Sequence, residues 1–173
     1  MPISFTATFA TEESLKALGR DTVKSPDILH IATHGFFFSD PEKRTRQLGD
    51  ENVFRWNENP LFRSGLIMAG ADHAWKTGHP YDGREDGILT AYEISHLNLS
   101  NTKLAVLSAC ETGLGDIKGS EGVYGLQRAF KMAGVDYLMV SLWKVPDEQT
   151  AAFMNKFYQY WLGGMPIHDA FTK

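Results

Sequence analysis

The chain has 173 residues, of which 43% are apolar and 22% charged. One compact domain is the expectation at this length, burying roughly 70% of the surface that the unfolded chain exposes, which excludes a disordered tail, a collagen-like fibre and a disulfide-stapled miniprotein. The formal charge is −4, from 17 Lys and Arg against 21 Asp and Glu, so nothing in the balance attracts a polyanion and no nucleic-acid partner is expected.

The first element in chain order is a short helix over 11–18 (TEESLKAL), with Thr11 as N-cap and acids in its first turn. Pro26 ends any helix. The run 28–33 (ILHIAT) is short, apolar and bounded by turn signals, the pattern of a buried strand. Residues 39–60 lack periodicity and read as a long surface loop, with Lys43, Arg44 and Arg46 as a hydrated basic cluster. A second strand is expected at 65–69 (GLIMA), followed by loop over 72–86 with two Asp-Gly turn signals. Thr90 and Glu93 have capping-box spacing, predicting a helix over about 90–97. The run 104–109 (LAVLSA) is the clearest strand. Val123, Leu126, Phe130 and Ala133 then mark one face of a helix over 122–133. A fourth strand follows at 137–142 (YLMVSL). Pro146 and Asp147 open an amphipathic helix reaching about residue 162, with Phe153, Phe157, Tyr160 and Trp161 as its apolar stripe, and a last short helix starts near Pro166.

Strands alternating with helices, and strands with both faces apolar, predict an α/β fold: a mostly parallel central sheet with helices on both faces. In such sheets ligands bind beyond the carboxyl ends of the strands. That rule selects His34 and Gly35 after the first strand, Cys110 and a glycine-rich turn after the third, and Trp143 and Lys144 after the fourth. No internal repeat or low-complexity segment is present in the sequence.

Cys110 is the only cysteine, which forbids an intrachain disulfide and fits a reducing compartment. Residues 1–10 lack a basic flank before an apolar run, and no stretch approaches the ~20 apolar residues that cross a bilayer. The expected location is the cytoplasm, with no membrane partner. Asn98-Leu99-Ser100 matches a glycosylation acceptor, which carries no weight without export.

Lone cysteines are mostly buried and inert. Two features point the other way: Cys110 falls at the rim where a site is expected, and His34 falls at the equivalent rim of another strand. A thiol with a pKa near 8.5 is only a few per cent thiolate at neutral pH. An imidazole beside it can take the proton and return it to a leaving amine, so the pair supplies the parts of a cysteine peptidase. His34 could instead be a core histidine. Gly35 favours function, because a missing side chain lets a substrate carbonyl approach backbone N–H groups. The amides of Gly35 and Cys110 are the expected oxyanion donors.

Metal and phosphate chemistry fit poorly. His30 and His34 are four apart, but on a strand that separation is ~13 Å, and the glutamate of a zinc helix is missing between them. No metal and no organic cofactor is expected. Gly113, Gly115 and Gly119 are spaced GxGxxxG, which is neither the dinucleotide fingerprint nor a P-loop. Trp143 reads either as core or as the wall of a substrate pocket, with Ser141 offering a hydroxyl. Asp147 reads as a helix N-cap ahead of a charge that selects a basic side chain. Glu111 either biases the site toward a cationic substrate or is simply solvated.

The stretches ILHIATHGFFFSD, NPLFRSGLIMAGA, DGILTAYEISHLNL, LAVLSACETGLGDIKGSEGVYGLQRAF and VSLWKVPDEQTAAFMNKFYQYW resemble the CHAT domain, a caspase-like domain often found in bacteria beside tetratricopeptide repeats. The resemblance runs over nearly the whole chain from about Thr11, and ATHG with SACETG is its most specific part. It implies a caspase-like three-layer sandwich, similar to caspases and separases, with a His–Cys dyad on His34 and Cys110 and the following glycine on Gly35. By the caspase analogy Ser141 and Trp143 line the substrate cleft, and Glu111 and Asp147 join them as substrate-binding candidates. The expected domain is a single one over 1–173, short of an opening strand-helix unit and a final helix. The expected function is a cysteine endopeptidase in bacterial regulation or defence, acting on a protein or peptide, with a repeat-containing regulatory protein as partner. The alternatives are a catalytically silent scaffold or interaction module, and a hydrolase of small amides or esters.

Overall fold

The computed structural model of the protein describes residues 4–20, 23–38, 59–108, 110–111, 121–141 and 146–173. The chain divides into two compact units, Met1–Leu142 and Trp143–Lys173.

The first unit opens with a 3₁₀ turn, Ala7–Phe9, and helix α1, Glu12–Lys16. Thr11 caps α1 as expected, its Oγ1 accepting from Ser14 N at 3.3 Å. Five residues do not hold a helix in water on their own. Longer-range bonds hold this one: the buried Glu12 carboxylate accepts from Gly87 N at 2.8 Å, and Glu13 accepts from Glu85 N at 2.9 Å. Lys16 Nζ lies 2.5 Å from Glu12, 2.8 Å from Glu93 and 3.2 Å from Glu85, closing the cluster.

The strands that follow are β1 (Ile28–Ile31), β2 (His34–Phe37), β3 (Ser64–Ile67), β4 (Ile88–Thr90), β5 (Leu104–Leu107), β6 (Cys110–Glu111) and β7 (Tyr137–Val140). Between them lie helices α2 (Ala71–Thr77), α3 (Ala91–Ser95) and α4 (Glu121–Met132). Thr90 and Glu93 form the predicted capping box, with Thr90 Oγ1 accepting from Glu93 N and Glu93 Oε2 accepting from Thr90 N.

The α/β class holds, but the sheet is not the single, mostly parallel one expected. Two sheets form: β1-β5-β7, parallel throughout, and β4-β3-β2-β6, where β2–β3 and β3–β4 are antiparallel and β2–β6 is parallel. The physical reason is a bend. The chain turns at Thr33 after β1, so the apolar run read as one strand over 28–33 stops at Ile31, and His34 opens a second strand in a second sheet. The 72–86 stretch read as loop also contains α2, closed by Gly78 in the left-handed conformation.

β5 is buried along its whole length, which is why its sequence is continuously apolar. The main core gathers Ile31, Leu66, Leu89, Ile94, Ala105, Leu107, Leu126, Ala129 and Phe130, so both sheets share it with α3 and α4. Phe36, Phe38, Ala71, Ala74 and Ile88 form a second cluster with Trp75. Leu66 and Leu89 point to one core while Ile67 and Ile88 pack with the other. That alternation is the two-residue period of a strand buried on both faces.

The second unit consists of α5 (Asp147–Leu162) and α6 (Ile167–Thr172). Its helices meet where Phe153 of α5 lies edge-on to Phe171 of α6 at 5.5 Å, and within α5 Phe157 stacks on Trp161 at 5.8 Å. The expected starts at Pro146 and Pro166 are observed. One detail differs: Pro146, not Asp147, occupies the N-cap, with extended backbone and no side-chain cap, and Asp147 is the first helical residue. Proline's fixed φ suits it to end the incoming extended segment. Among the described residues no helix is long and apolar enough to cross a membrane.

Candidate active site

The site is built on one pair of parallel chain segments. β1 and β5 run side by side from Ile28↔Leu104 to Ile31↔Leu107. Ser108 N donates to Ile31 O at 2.9 Å and carries the pairing one rung further. After the bend the same two segments pair again, with His34 opposite Cys110 and Gly35 opposite Glu111. The register is unchanged across the bend, since Ile28 is to Leu104 as His34 is to Cys110.

β2 is an inner strand of its sheet, gripped by β3 on one side, with His34 opposite Ile67, and by β6 on the other. The Thr33 hydroxyl donates to Ile67 O and pins the bend just before His34. Exposure alternates along this stretch: His30, Ala32 and His34 are exposed, Ile31 is buried and Thr33 half-buried. The two histidines therefore sit on separate strands, both exposed. His30 Nε2 shares a hydrogen bond of 3.2 Å with Ser108 Oγ, and burial of part of the ring lowers its pKa.

Gly35 is not demanded by packing. A Cβ there would meet the Phe37 ring at 3.4 Å and Gly65 O at 3.5 Å, ordinary contact distances. Gly65 on the neighbouring strand is the opposite case, since a Cβ would lie 2.5 Å from Leu89 O and 2.6 Å from the Phe36 ring.

The sequence-predicted residues thus separate into three groups. The backbone register brings together His34, Gly35, Cys110 and Glu111. Ser141, half-buried, directly follows β7, whose carboxyl end aligns with that of β5, with Val140 opposite Leu107. Asp147 belongs to the second unit, and Trp143 lies outside the described residues, as do the basic cluster Lys43, Arg44 and Arg46 and the glycines Gly113, Gly115 and Gly119. Reading the sequence missed the His30–Ser108 pair as a pair. No local signal pairs them, because the pairing depends on the register of two strands distant in sequence.

Among the described residues the acids Glu12, Glu85 and Glu93 converge with carboxylate oxygens within 4.8 Å of one another. The Lys16 ammonium sits among them. Three carboxylates share that one cation. Burial raises the Glu12 pKa to about 7 against the pull of Lys16. Glu93 is also pushed up by burial, but hydrogen bonds from Lys16 and Thr90 outweigh this and lower it. Burial disfavours the Lys16 ammonium, yet its bonds to Glu12 and Glu93 prevail and raise its pKa. The cluster is an internal clasp between α1, the 85–87 turn and α3.

Known proteins resemble this chain in sequence. Tetratricopeptide repeat protein 28 of Mus musculus is 37% identical over 78 residues, which cover 45% of this chain and 3% of the mouse protein. Tetratricopeptide repeat protein 28 of Homo sapiens is 32% identical over 114 residues, covering 54% of this chain and 4% of the human protein. The matched part is thus a small fraction of each relative, and both relatives are mammalian. The family model described as CHAT domain matches residues 3–173, spanning both compact units. A chain matched over that extent, with His34 and Cys110 in register on adjoining strands, belongs to the CHAT domain family.

Proposed function

We propose that this CHAT domain is a cysteine endopeptidase of caspase-like type that uses His34 and Cys110 as its dyad. The observation that carries the reading is their backbone register on adjacent parallel strands. Neighbouring strands lie about 4.8 Å apart, and register partners share a face of the sheet, a spacing at which an imidazole and a thiol can exchange a proton.

His34 accepts the proton of the Cys110 thiol. The sulfur forms a bond to the scissile carbonyl carbon, and the carbonyl π electrons move to oxygen. The amides of Gly35 and Cys110 hold that oxyanion, an interaction worth about 3–4 kcal/mol per donor in comparable sites. The C–N bond then breaks as His34 returns its proton to the leaving amine. Water, deprotonated by His34, attacks the thioester, releases the acyl fragment as a carboxylate and restores the thiol. Gly35 supports this role, since a Cβ there would meet only ordinary contacts and the fold itself does not require a glycine. Glu111, opposite Gly35, and Ser141 beyond β7 are the substrate-contacting positions. The substrate is a polypeptide, and no metal or organic cofactor takes part.

The relatives' printed name describes repeat architecture and no catalysis. It favours a second reading, a silent interaction module working beside a repeat-containing protein. One experiment separates the two. Purified protein is treated with a library of peptidyl acyloxymethyl ketones and analysed by mass spectrometry. The peptidase reading requires an adduct on Cys110 that disappears in Cys110→Ala and forms far more slowly in His34→Ala. Wild-type protein that takes no label, or a label that survives Cys110→Ala, ends it and leaves the scaffold.

A further inference from the structure

Between the two paired stretches, 28–31 with 104–107 and 34–35 with 110–111, each segment makes a short passage from one sheet to the other. The approach of His34 to Cys110 depends on both segments making that passage together. On the β2 side the bend is pinned from outside, by Thr33 to Ile67 O. On the Cys110 side two bonds reach across from β1: Ser108 N to Ile31 O, which is generic backbone, and Ser108 Oγ with His30 Nε2, which depends on the side chains.

We propose that His30 is a positioning residue: its hydrogen bond to Ser108 ties β1 to the stretch leading into Cys110 and so sets how closely the thiol approaches His34. This rests on the dyad reading above. His30 stands opposite Val106 in the β1–β5 register, so its bond to Ser108 runs diagonally forward along the partner segment, toward Cys110. Diagonal cross-strand pairs are within reach of long side chains, and a polar link at this point resists sliding of one segment past the other. His30 does not touch substrate or the reacting atoms in this scheme. Its bond to Ser108 is the link through which it positions the thiol. Displacing a reacting group by about 1 Å can cost on the order of 100-fold in rate, so a single side-chain bond is enough to matter.

The test uses iodoacetamide, which alkylates the lone cysteine whether or not the protein cleaves peptides. The rate at pH 7 and the pH midpoint of alkylation report how strongly the thiol is coupled to an imidazole, since an uncoupled thiol near pKa 8.5 is only a few per cent thiolate there. Wild type, His34→Ala, His30→Ala, His30→Gln, Ser108→Ala and the His30→Ala/Ser108→Ala double variant are compared, with thermal melts alongside. The expected result is a loss of about tenfold at pH 7 in His30→Ala and in Ser108→Ala, with the midpoint shifted up toward that of His34→Ala. The double variant should be no slower than either single, because both remove one bond. His30→Gln, which keeps a polar nitrogen near the Nε2 position, should recover most of the rate. Single variants that alkylate within twofold of wild type overturn the proposal, as do losses that multiply in the double variant or a Gln variant as slow as Ala. Should acyloxymethyl ketones fail on wild type while this iodoacetamide pattern holds, the peptidase reading falls and the positioning role stands. Indifference of the alkylation rate to His34→Ala removes both.

Discussion

The backbone N–H of Ser108 donates to the carbonyl of Ile31 at 2.9 Å, the last rung before the chain leaves the parallel sheet. Three residues beyond Ile31 stands His34, and two beyond Ser108 stands Cys110, opposite one another. Their backbones lie opposite one another because two neighbouring strands pair in both sheets without losing register. The proposed dyad therefore rests on the ordinary hydrogen bonding of a pair of parallel strands.

His34 is exposed on β2. His34→Ala should unfold in urea within about 0.5 kcal/mol of wild type, as surface substitutions generally do. The same variant should lose the rapid alkylation of Cys110. A fall in stability of several times that size would mean that the imidazole is chiefly a structural group.

Gly35 and Gly65 should behave oppositely toward alanine. Gly35→Ala adds a methyl at ordinary contact distance, and should stay within about 1 kcal/mol of wild type while slowing acyloxymethyl-ketone labelling by crowding the carbonyl's approach. Gly65→Ala drives a methyl against Leu89 O and the Phe36 ring, and should cost about 1–3 kcal/mol as overpacked sites do. Urea melts of the two variants and the labelling rate of the first check both halves.

Thr90→Ala removes the capping box of α3. Thr90 Oγ1 also donates to Glu93 Oε2 at 2.7 Å, so the change removes a helix cap and a donor to a carboxylate at once. The expected loss is about 1–2 kcal/mol. Thr90→Ser, which keeps the hydroxyl, should recover most of it, and the comparison of urea midpoints reads the difference.

Glu12 makes stability depend on pH in a direction opposite to the usual carboxylate. Its folded pKa is raised to about 7 from 4.5, so between those values the folded state holds more protons than the unfolded one. Stability from this group is therefore fully present below about pH 4.5 and declines as pH rises toward 7. Glu93, lowered in the fold, works the other way, and its contribution is lost only as pH falls below the ordinary carboxylate range. In Glu12→Gln the declining component disappears. The stability of wild type minus that of the variant should drop by on the order of 1–2 kcal/mol between pH 5 and pH 7. Urea midpoints at three pH values test this, and a flat difference would show that Glu12 does not titrate there.

Much of this domain was legible locally. The continuous apolar runs of β1, β5 and β7, the Thr90–Glu93 capping box and the prolines opening α5 and α6 are signals contained within a few residues. His34, Gly35 and Cys110 stood out because they follow strands. β2 and β4 were not separable from their surroundings, since β2 follows β1 after only two residues and β4 ends on Thr90, the N-cap of α3. α2 was hidden in a polar stretch whose helix is closed by glycine and packed through Ala71, Ala74 and Trp75. Strand register could not be read at all, because it is a relation between segments distant in sequence, fixed by ladder hydrogen bonds and a shared core. Local propensity and apolar period, acting over a turn or a strand, decided which elements form and which residues stand at their ends. Only the packed structure decided that the chain bends at Thr33, that two sheets form, and that the residue opposite His34 is Cys110, because pairing distant strands takes contacts that no short window of sequence contains.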